Sequence, residues 1–335
     1  MDYIEDVRED TNNQLITAEQ VDLTSLHSIR TFATKWIDNA PPRRLDLVIL
    51  CGNTLTPKGS KIQSTSEGVE VNWQLNYLAN FHLLSILSPA LRAQPPDRDV
   101  RVLFGTCSSY LGGDLLHISK PSQKLGANGK PNPSTDDAIQ EPTKFSPANA
   151  YATSKFALTT FALAFQKHLN AYERPDKMPN NTKVMLIDPG LCRTPGTRRW
   201  LTFGSLFGLL LYLIFYPLWW LVLKSPDMGA QSFLFAAMEE QYKTGDGGWL
   251  VKECKQRPFG REDVRDEETQ KRLWEYSERM VQEAEKRGAE KRTQAKKEEK
   301  EAKDEAEAVK QMQVYKDKVG KKEKKEGSRR SRKAG

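Results

Sequence analysis

The sequence predicts an α/β fold, a doubly wound parallel sheet, from three observations. Strand-length segments (Leu45–Leu50, Val100–Phe104 and Lys183–Ile187) are nearly continuous in apolar residues, as strands covered on both faces are. Longer stretches between them place apolar residues at three- and four-residue spacing, the pattern of helices with one buried stripe. The two kinds alternate along the chain, and that βαβ rhythm calls for parallel strands with helices on both faces.

Taken in order, Gln14–Val21 reads as a strand, Leu26–Asn39 as a helix and Leu45–Leu50 as a buried strand. Gly68–Arg92 reads as a long helix, Val100–Phe104 as a strand, Ala150–Ala171 as a helix and Lys183–Ile187 as a strand. Asp227–Tyr242 and Glu267–Arg287 close the body as amphipathic helices. Three segments break the rhythm. Residues 115–147 are rich in Pro, Gly, Asn, Ser and Lys and read as a surface insertion. Phe203–Leu223 is apolar and without charge, and residues 282–335 form a Lys/Glu tail, part helix and part disorder.

The chemistry concentrates in Tyr151-Ala-Thr-Ser-Lys155, which sets a phenol and an ammonium one helical turn apart on the same face. An ammonium in that position lowers the pKa of a phenol and fits it for proton transfer near neutral pH. Alone the pair is a weak signal, since a surface helix with a structural tyrosine has the same spacing. It gains weight from Asn76 within Asn76-Tyr-Leu-Ala-Asn-Phe81, from Ser108-Ser109-Tyr-Leu-Gly112 after an apolar strand, and from Pro189-Gly190-Leu-Cys-Arg-Thr194 after another. In that order the four elements resemble the short-chain dehydrogenase/reductase family. The segments Lys224–Gln231 and Asp266–Ser277, with Asp22–Ala33 upstream, are similar to its retinol dehydrogenase-like branch.

The resemblance implies a Rossmann-like fold and a set of roles. Tyr151 becomes the general acid or base, Lys155 its partner and a ribose ligand, Ser109 the substrate's hydrogen-bond donor, and Asn76 the holder of a relay water. Ser108 is the alternative to Ser109, which alone fits Ser-x-x-Gly. Asp22 and Leu23 are implied at the adenine, Gly52 beside the adenosine, and Pro189, Gly190 and Thr194 along the nicotinamide. Cys51 and Asn53 depart from the Asn-Asn-Ala-Gly pattern. The implied cofactor is NADP, with NAD open, and a homodimer through the helices of Asn76 and Tyr151 is implied by analogy.

Met1 lies some twenty residues before Asp22, and no Gly-rich turn precedes it. The first strand, phosphate loop, first helix and second strand are therefore expected to be missing. Four cysteines without CxxC spacing and four scattered histidines point to no zinc site and no disulfide framework. The net charge of +7 resides in the tail: residues 281–335 hold 19 Lys/Arg against 12 Asp/Glu, and the rest of the chain 32 of each. A nucleic-acid surface is not implied.

Phe203–Leu223 is long enough to span a bilayer, with Arg198, Arg199 and Lys224 at its ends. A crossing would separate a strand and a helix that belong on one sheet, so a monotopic insertion bent near Pro217 is expected. An apolar substrate lid is the plainer alternative. The expected function is oxidoreduction of a lipophilic alcohol and its carbonyl compound at the cytosolic face of the endoplasmic reticulum or a lipid droplet. A catalytically silent lipid-surface protein is the runner-up.

Overall fold

The computed structural model describes residues 2–38, 43–57, 59–115 and 146–331, the last of these as backbone alone beyond residue 305. Contacts divide the chain into two units, residues 1–285 and 286–335. The first is built on a five-stranded sheet: β1 (Leu47–Leu50), β2 (Val100–Gly105), β3 (Thr182–Asp188), β4 (Trp249–Lys252) and β5 (Lys255–Arg257), in that spatial order. The first three pairings are parallel and the last is antiparallel. Glu253 and Cys254 join β4 to β5, both at positive φ, the backbone pattern of a two-residue hairpin turn. Neither strand of this hairpin was legible in the sequence.

β3 lies at the centre and is buried along its whole length, as its apolar run requires. Alternate side chains of β2 and β3 enter two cores. Val102, Phe104, Val184 and Leu186 face one, and Leu103, Met185 and Ile187 face the other with Ala236 and Tyr242. Helices α1 (Asp2–Thr11), α2 (Leu26–Ile37), α3 (Val71–Trp73), α4 (Ala79–Arg92) and α5 (Pro147–Asn170) precede β3 or flank its neighbours. A π-helical turn, Gln74–Leu78, joins α3 to α4, so the expected long helix is wider at Asn76. α5 starts after Ser146 with Pro147 in its first turn and ends with Lys167 and His168 in its last, both favourable placements. Its residue Phe161 meets Tyr77, Phe81, Phe104, Phe165 and Trp274 at ring-centroid distances of 5.1–6.1 Å.

Two expected strands are corrected. Residues 14–21 form no strand: Leu15 is exposed, and the Ile16 carbonyl accepts from Arg8 Nε at 2.8 Å, so no ladder forms. Leu47–Leu50 is a strand but not a buried one. Leu47 and Ile49 share its exposed face at 40% and 47%, while Val48 and Leu50 pack on the core. A continuous apolar run cannot tell one covered face from two.

The apolar segment is broken into α7 (Leu206–Ile214) and α8 (Tyr216–Val222), after α6 (Pro195–Leu201). The break falls at Phe215, two residues before Pro217. Among the described residues no helix is long and apolar enough to cross a membrane. The base of the excursion is closed by two main-chain hydrogen bonds, Arg193 N to Lys224 O at 2.9 Å and Lys224 N to Leu191 O at 3.0 Å. α9 (Pro226–Met238) then returns to the sheet, and a 3₁₀ turn (Glu240–Tyr242) replaces the expected end of that helix.

The final helix, α10 (Glu267–Ser331), is longer than the sequence reading gave it, and residues expected to be partly disordered are helical to Ser331. Among its exposed pairs Lys303 and Glu299 stand at i,i+4, the spacing that supports a charged helix. Most of the insertion read over residues 115–147 lies outside the described residues.

Candidate active site

Tyr151 and Lys155 occupy the first turns of α5, facing the C-terminal ends of β1 and β2. The Lys155 ammonium is 2% exposed, donates to the Gly105 carbonyl at 2.9 Å and lies 5.7 Å from the centre of the Tyr151 ring. Burial lowers its pKa from the ordinary lysine value, partly offset by Cys107 and Cys51. Burial is also the largest influence on Tyr151, and with the neighbouring Cys107 it raises the phenol's pKa. The expected lowering by Lys155 is absent here, because the ammonium is turned toward a carbonyl rather than toward the phenolic oxygen.

Two groups meet that oxygen. Asn53 Nδ2 donates to Tyr151 Oη at 3.4 Å, and Cys107 Sγ lies 3.4 Å from it. Neither residue was chosen from the sequence, where Asn53 counted as a departure. The signal available was position: each stands two or three residues past the end of a parallel strand, where side chains reach the site end of such a sheet. Cys107 is fixed by its neighbour Thr106, whose N–H donates to Ile187 O at 2.8 Å. The 3₁₀ turn Ser108–Gly112 that follows lies directly on α5. A Cβ on Gly113 would come within 2.5 Å of the Ala152 carbonyl oxygen and of Phe156 Cβ, so only glycine permits this approach. Arg261 holds the turn from outside, donating to Gly113 O at 2.6 Å and Leu111 O at 3.1 Å.

The two serines differ. Ser108 donates to Asp188 Oδ2 at 2.6 Å and accepts from Lys252 Nζ at 2.7 Å. Ser109 is exposed. Asn76, on the π-helical turn, ties two elements together: its Oδ1 accepts from Thr54 N at 2.7 Å, and its Nδ2 donates to Thr54 O and Ser154 Oγ, both at 3.0 Å. Ser154 lies one residue before Lys155, so Asn76 steadies the helix that carries the pair.

The other implied positions lie at two neighbouring places. The Leu23 side chain covers Gly52 at the end of β1, where a Cβ would stand 2.5 Å from Leu23 Cδ1. Asp22 is exposed, and its carboxylate accepts from Thr24 N at 2.8 Å. Gly190, at φ +78°, donates its N–H to Asp188 Oδ1 at 2.9 Å, and the Glu253 carboxylate, paired with Lys224, crowds its open side. Pro189 is half-buried beside it, and Thr194 caps α6, accepting from Thr197 N at 3.3 Å. Among the described residues no cluster of His, Cys, Asp or Glu has the form of a metal site.

A nicotinamide dinucleotide fits the Lys155 end of this arrangement. A buried ammonium has three donors, and the hydrogen bond to Gly105 O accounts for one. The vicinal hydroxyls of a ribose are neutral acceptors suited to the others.

No family model matches the chain. It is 41% identical over 286 residues to the uncharacterized oxidoreductase pbr1 of Schizosaccharomyces pombe, covering 85% of this chain and 72% of the relative. Human retinol dehydrogenase 13 is 27% identical, over 82% of this chain and 72% of its own. Mouse polyprenol dehydrogenase is 33% identical, over 76% and 64%. Among solved structures, a short-chain dehydrogenase from Salmonella enterica aligns over 75% of this chain and 79% of its own at 18% identity, with a TM-score of 0.45.

Proposed function

The chain belongs to the short-chain dehydrogenase/reductase family of oxidoreductases, and we propose that it interconverts a lipophilic alcohol and its aldehyde or ketone, using NADP(H), at a membrane or lipid-droplet surface. The observation that carries the reading is the meeting of a half-buried phenol, a buried ammonium and two further polar groups at the end of a parallel sheet. A nicotinamide held there would supply or accept hydride at the carbonyl carbon. Tyr151 gives its proton to the carbonyl oxygen in reduction and takes one back in oxidation, and a raised pKa keeps it protonated for the first task. Lys155 would hold the ribose, and Asn76 keeps its helix in register. The choice of NADP(H) over NAD(H) rests on likeness to the retinol dehydrogenase-like branch.

The substrate class draws on two supports. Two relatives are named for retinol and polyprenol, both lipophilic alcohols. In addition, Leu206, Phe207, Leu210, Leu213, Ile214, Trp220 and Leu221 are each more than half exposed, an apolar face far in excess of scattered surface residues. The hydrogen bonds at the base of this excursion bring both ends back to one place, as an insertion into one leaflet requires.

Purified full chain, supplied with NADPH and decanal in mixed micelles, is expected to consume NADPH. Tyr151→Phe is expected to lower kcat by about 10²–10⁴-fold, the range for general acid catalysis, with NADPH affinity unchanged. No turnover of decanal or retinal by the unsubstituted chain, or more than about a tenth of the rate surviving in Tyr151→Phe, overturns the reading.

A further inference from the structure

We infer that the excursion from Phe203 to Leu223 docks on an anionic phospholipid leaflet, with its apolar helices in the acyl layer and Arg193, Arg198 and Arg199 at the headgroup phosphates. The inference rests on the lipid-surface reading and names within it the charge of the lipid. Between Asp188 and Asp227 the chain carries four basic residues and no acidic one. Arg193, Arg198 and Arg199 stand before the excursion and Lys224 after it, and none lies within α7 or α8. An apolar projection on a purely cationic base repeats the order of chemistry across a leaflet, from acyl chain to phosphate.

The structure fixes the two parts to each other. Thr202 caps α6 just after Arg198 and Arg199, and a Cβ on Gly208 would collide with the Thr202 carbonyl, so α6 and α7 meet closely. On the return side the Arg193 guanidinium lies 5.6 Å from the centre of the Trp220 ring, which ties α8 to the base. The nine residues of α7 make a helix about 14 Å long, close to half of a ~30 Å hydrocarbon core. With α7 in the acyl layer, the base therefore comes to the depth of the headgroups. Trp200 and Trp220, 45% and 62% exposed, are of the residue type that occupies this boundary.

The arginines are not engaged by carboxylates. Lys224 is paired with Glu253, whereas Arg193, Arg198 and Arg199 have no carboxylate partner among the described residues. Arg198 and Arg199 are exposed, and Arg193 Nη1 is buried without a hydrogen-bond partner among the described residues. A buried donor left unbonded costs free energy, and a phosphate oxygen is an acceptor that a guanidinium binds strongly. A neutral apolar surface would cover the leucines and leave this base unmatched.

The test uses full-length chain and flotation with vesicles of phosphatidylcholine, alone or mixed with phosphatidylserine. The unsubstituted chain is expected to bind the mixed vesicles more tightly. Replacing Arg198 and Arg199 together by Gln is expected to weaken binding to mixed vesicles about thirtyfold, at about fivefold per cation, and to leave binding to neutral vesicles within about twofold. Replacing both by Lys is expected to keep the preference, because the charge stays. Both side chains are exposed, so each variant is expected to unfold at the temperature of the unsubstituted chain. If the Gln variant binds mixed vesicles as tightly as the unsubstituted chain, the inference is overturned and any charge dependence belongs to the tail. An unsubstituted chain that binds both vesicles alike, or a Lys variant that loses the preference, also overturns it and leaves the lipid-surface reading standing. A chain that floats with neither vesicle overturns both.

Discussion

α5 and the excursion from Phe203 to Leu223 are both dominated by apolar residues, and the structure treats them in opposite ways. From Ala152 to Leu163 α5 is buried without a gap. In α7 and α8 only Gly208 and Tyr212 are buried, with Tyr212 stacked on Trp219 at a ring-centroid distance of 6.2 Å. Hydropathy does not tell which is covered, because the excursion, uncharged and the more apolar of the two, is the one left exposed. The difference is partnership: Phe161 is surrounded by five aromatic rings, four of them from other elements, whereas Leu210, Leu213 and Ile214 are each more than half exposed. One helix is held by protein and carries the site on its first turns. The other pair retains an unburied apolar face, the one that the proposed lipid surface would cover.

Substitution on the two sides should therefore break different properties. Phe161→Ala is expected to cost the fold about 3–5 kcal/mol, the range for emptying a large aromatic site in a well-packed core. Chemical denaturation would measure it, and a loss below about 1 kcal/mol would mean the ring cluster is looser than its contacts imply. Replacing Leu210, Leu211 and Ile214 by Asp should have the reverse signature. Unfolding should move little, because these side chains are 55%, 40% and 61% exposed. Flotation with phospholipid vesicles should fall from most of the protein to a minor fraction, since each apolar side chain buried in lipid contributes ~1.5–3 kcal/mol at most. If the triple variant floats as before, the apolar face does not enter lipid. If it unfolds, the face packs against protein and the comparison fails.

The central sheet was legible because β2 and β3 are buried on both faces, so their burial matches their composition. β1 was legible as a strand but not as an edge, since sequence cannot report what lies beyond a strand. The β4–β5 hairpin escaped because its strands are short and β5, Lys-Gln-Arg, is exposed throughout. At the site, Tyr151 and Lys155 could be paired from helical spacing alone. Asn53, Cys107 and the Ser108–Asp188–Lys252 group join residues far apart in the chain, and their meeting depends on how the ends of β1 to β4 are aligned. The pattern Ser-x-x-Gly pointed to Ser109, which is exposed, while Ser108 is held by Asp188 and Lys252.

The smallest expected effect concerns Lys155, where function and stability oppose each other. Its ammonium is almost fully buried beside a neutral carbonyl, without a carboxylate partner in its hydrogen bond. Burying it lowers its pKa, so below the ordinary lysine value of 10.5 the unfolded chain binds the proton more tightly than the folded one. The group's contribution is thus most favourable above that pH and declines as pH falls toward its folded pKa. Lys155→Met keeps most of the volume and removes the charge. It should abolish turnover and leave the fold as stable or slightly more stable at pH 7, despite the lost hydrogen bond worth about 1 kcal/mol. The advantage over the unsubstituted chain should shrink as pH approaches 10.5, which thermal unfolding at a series of pH values would measure. A variant clearly less stable at pH 7 would show that the ammonium supports the fold as well as the chemistry, and the site end of α5 would then need its charge as much as its packing.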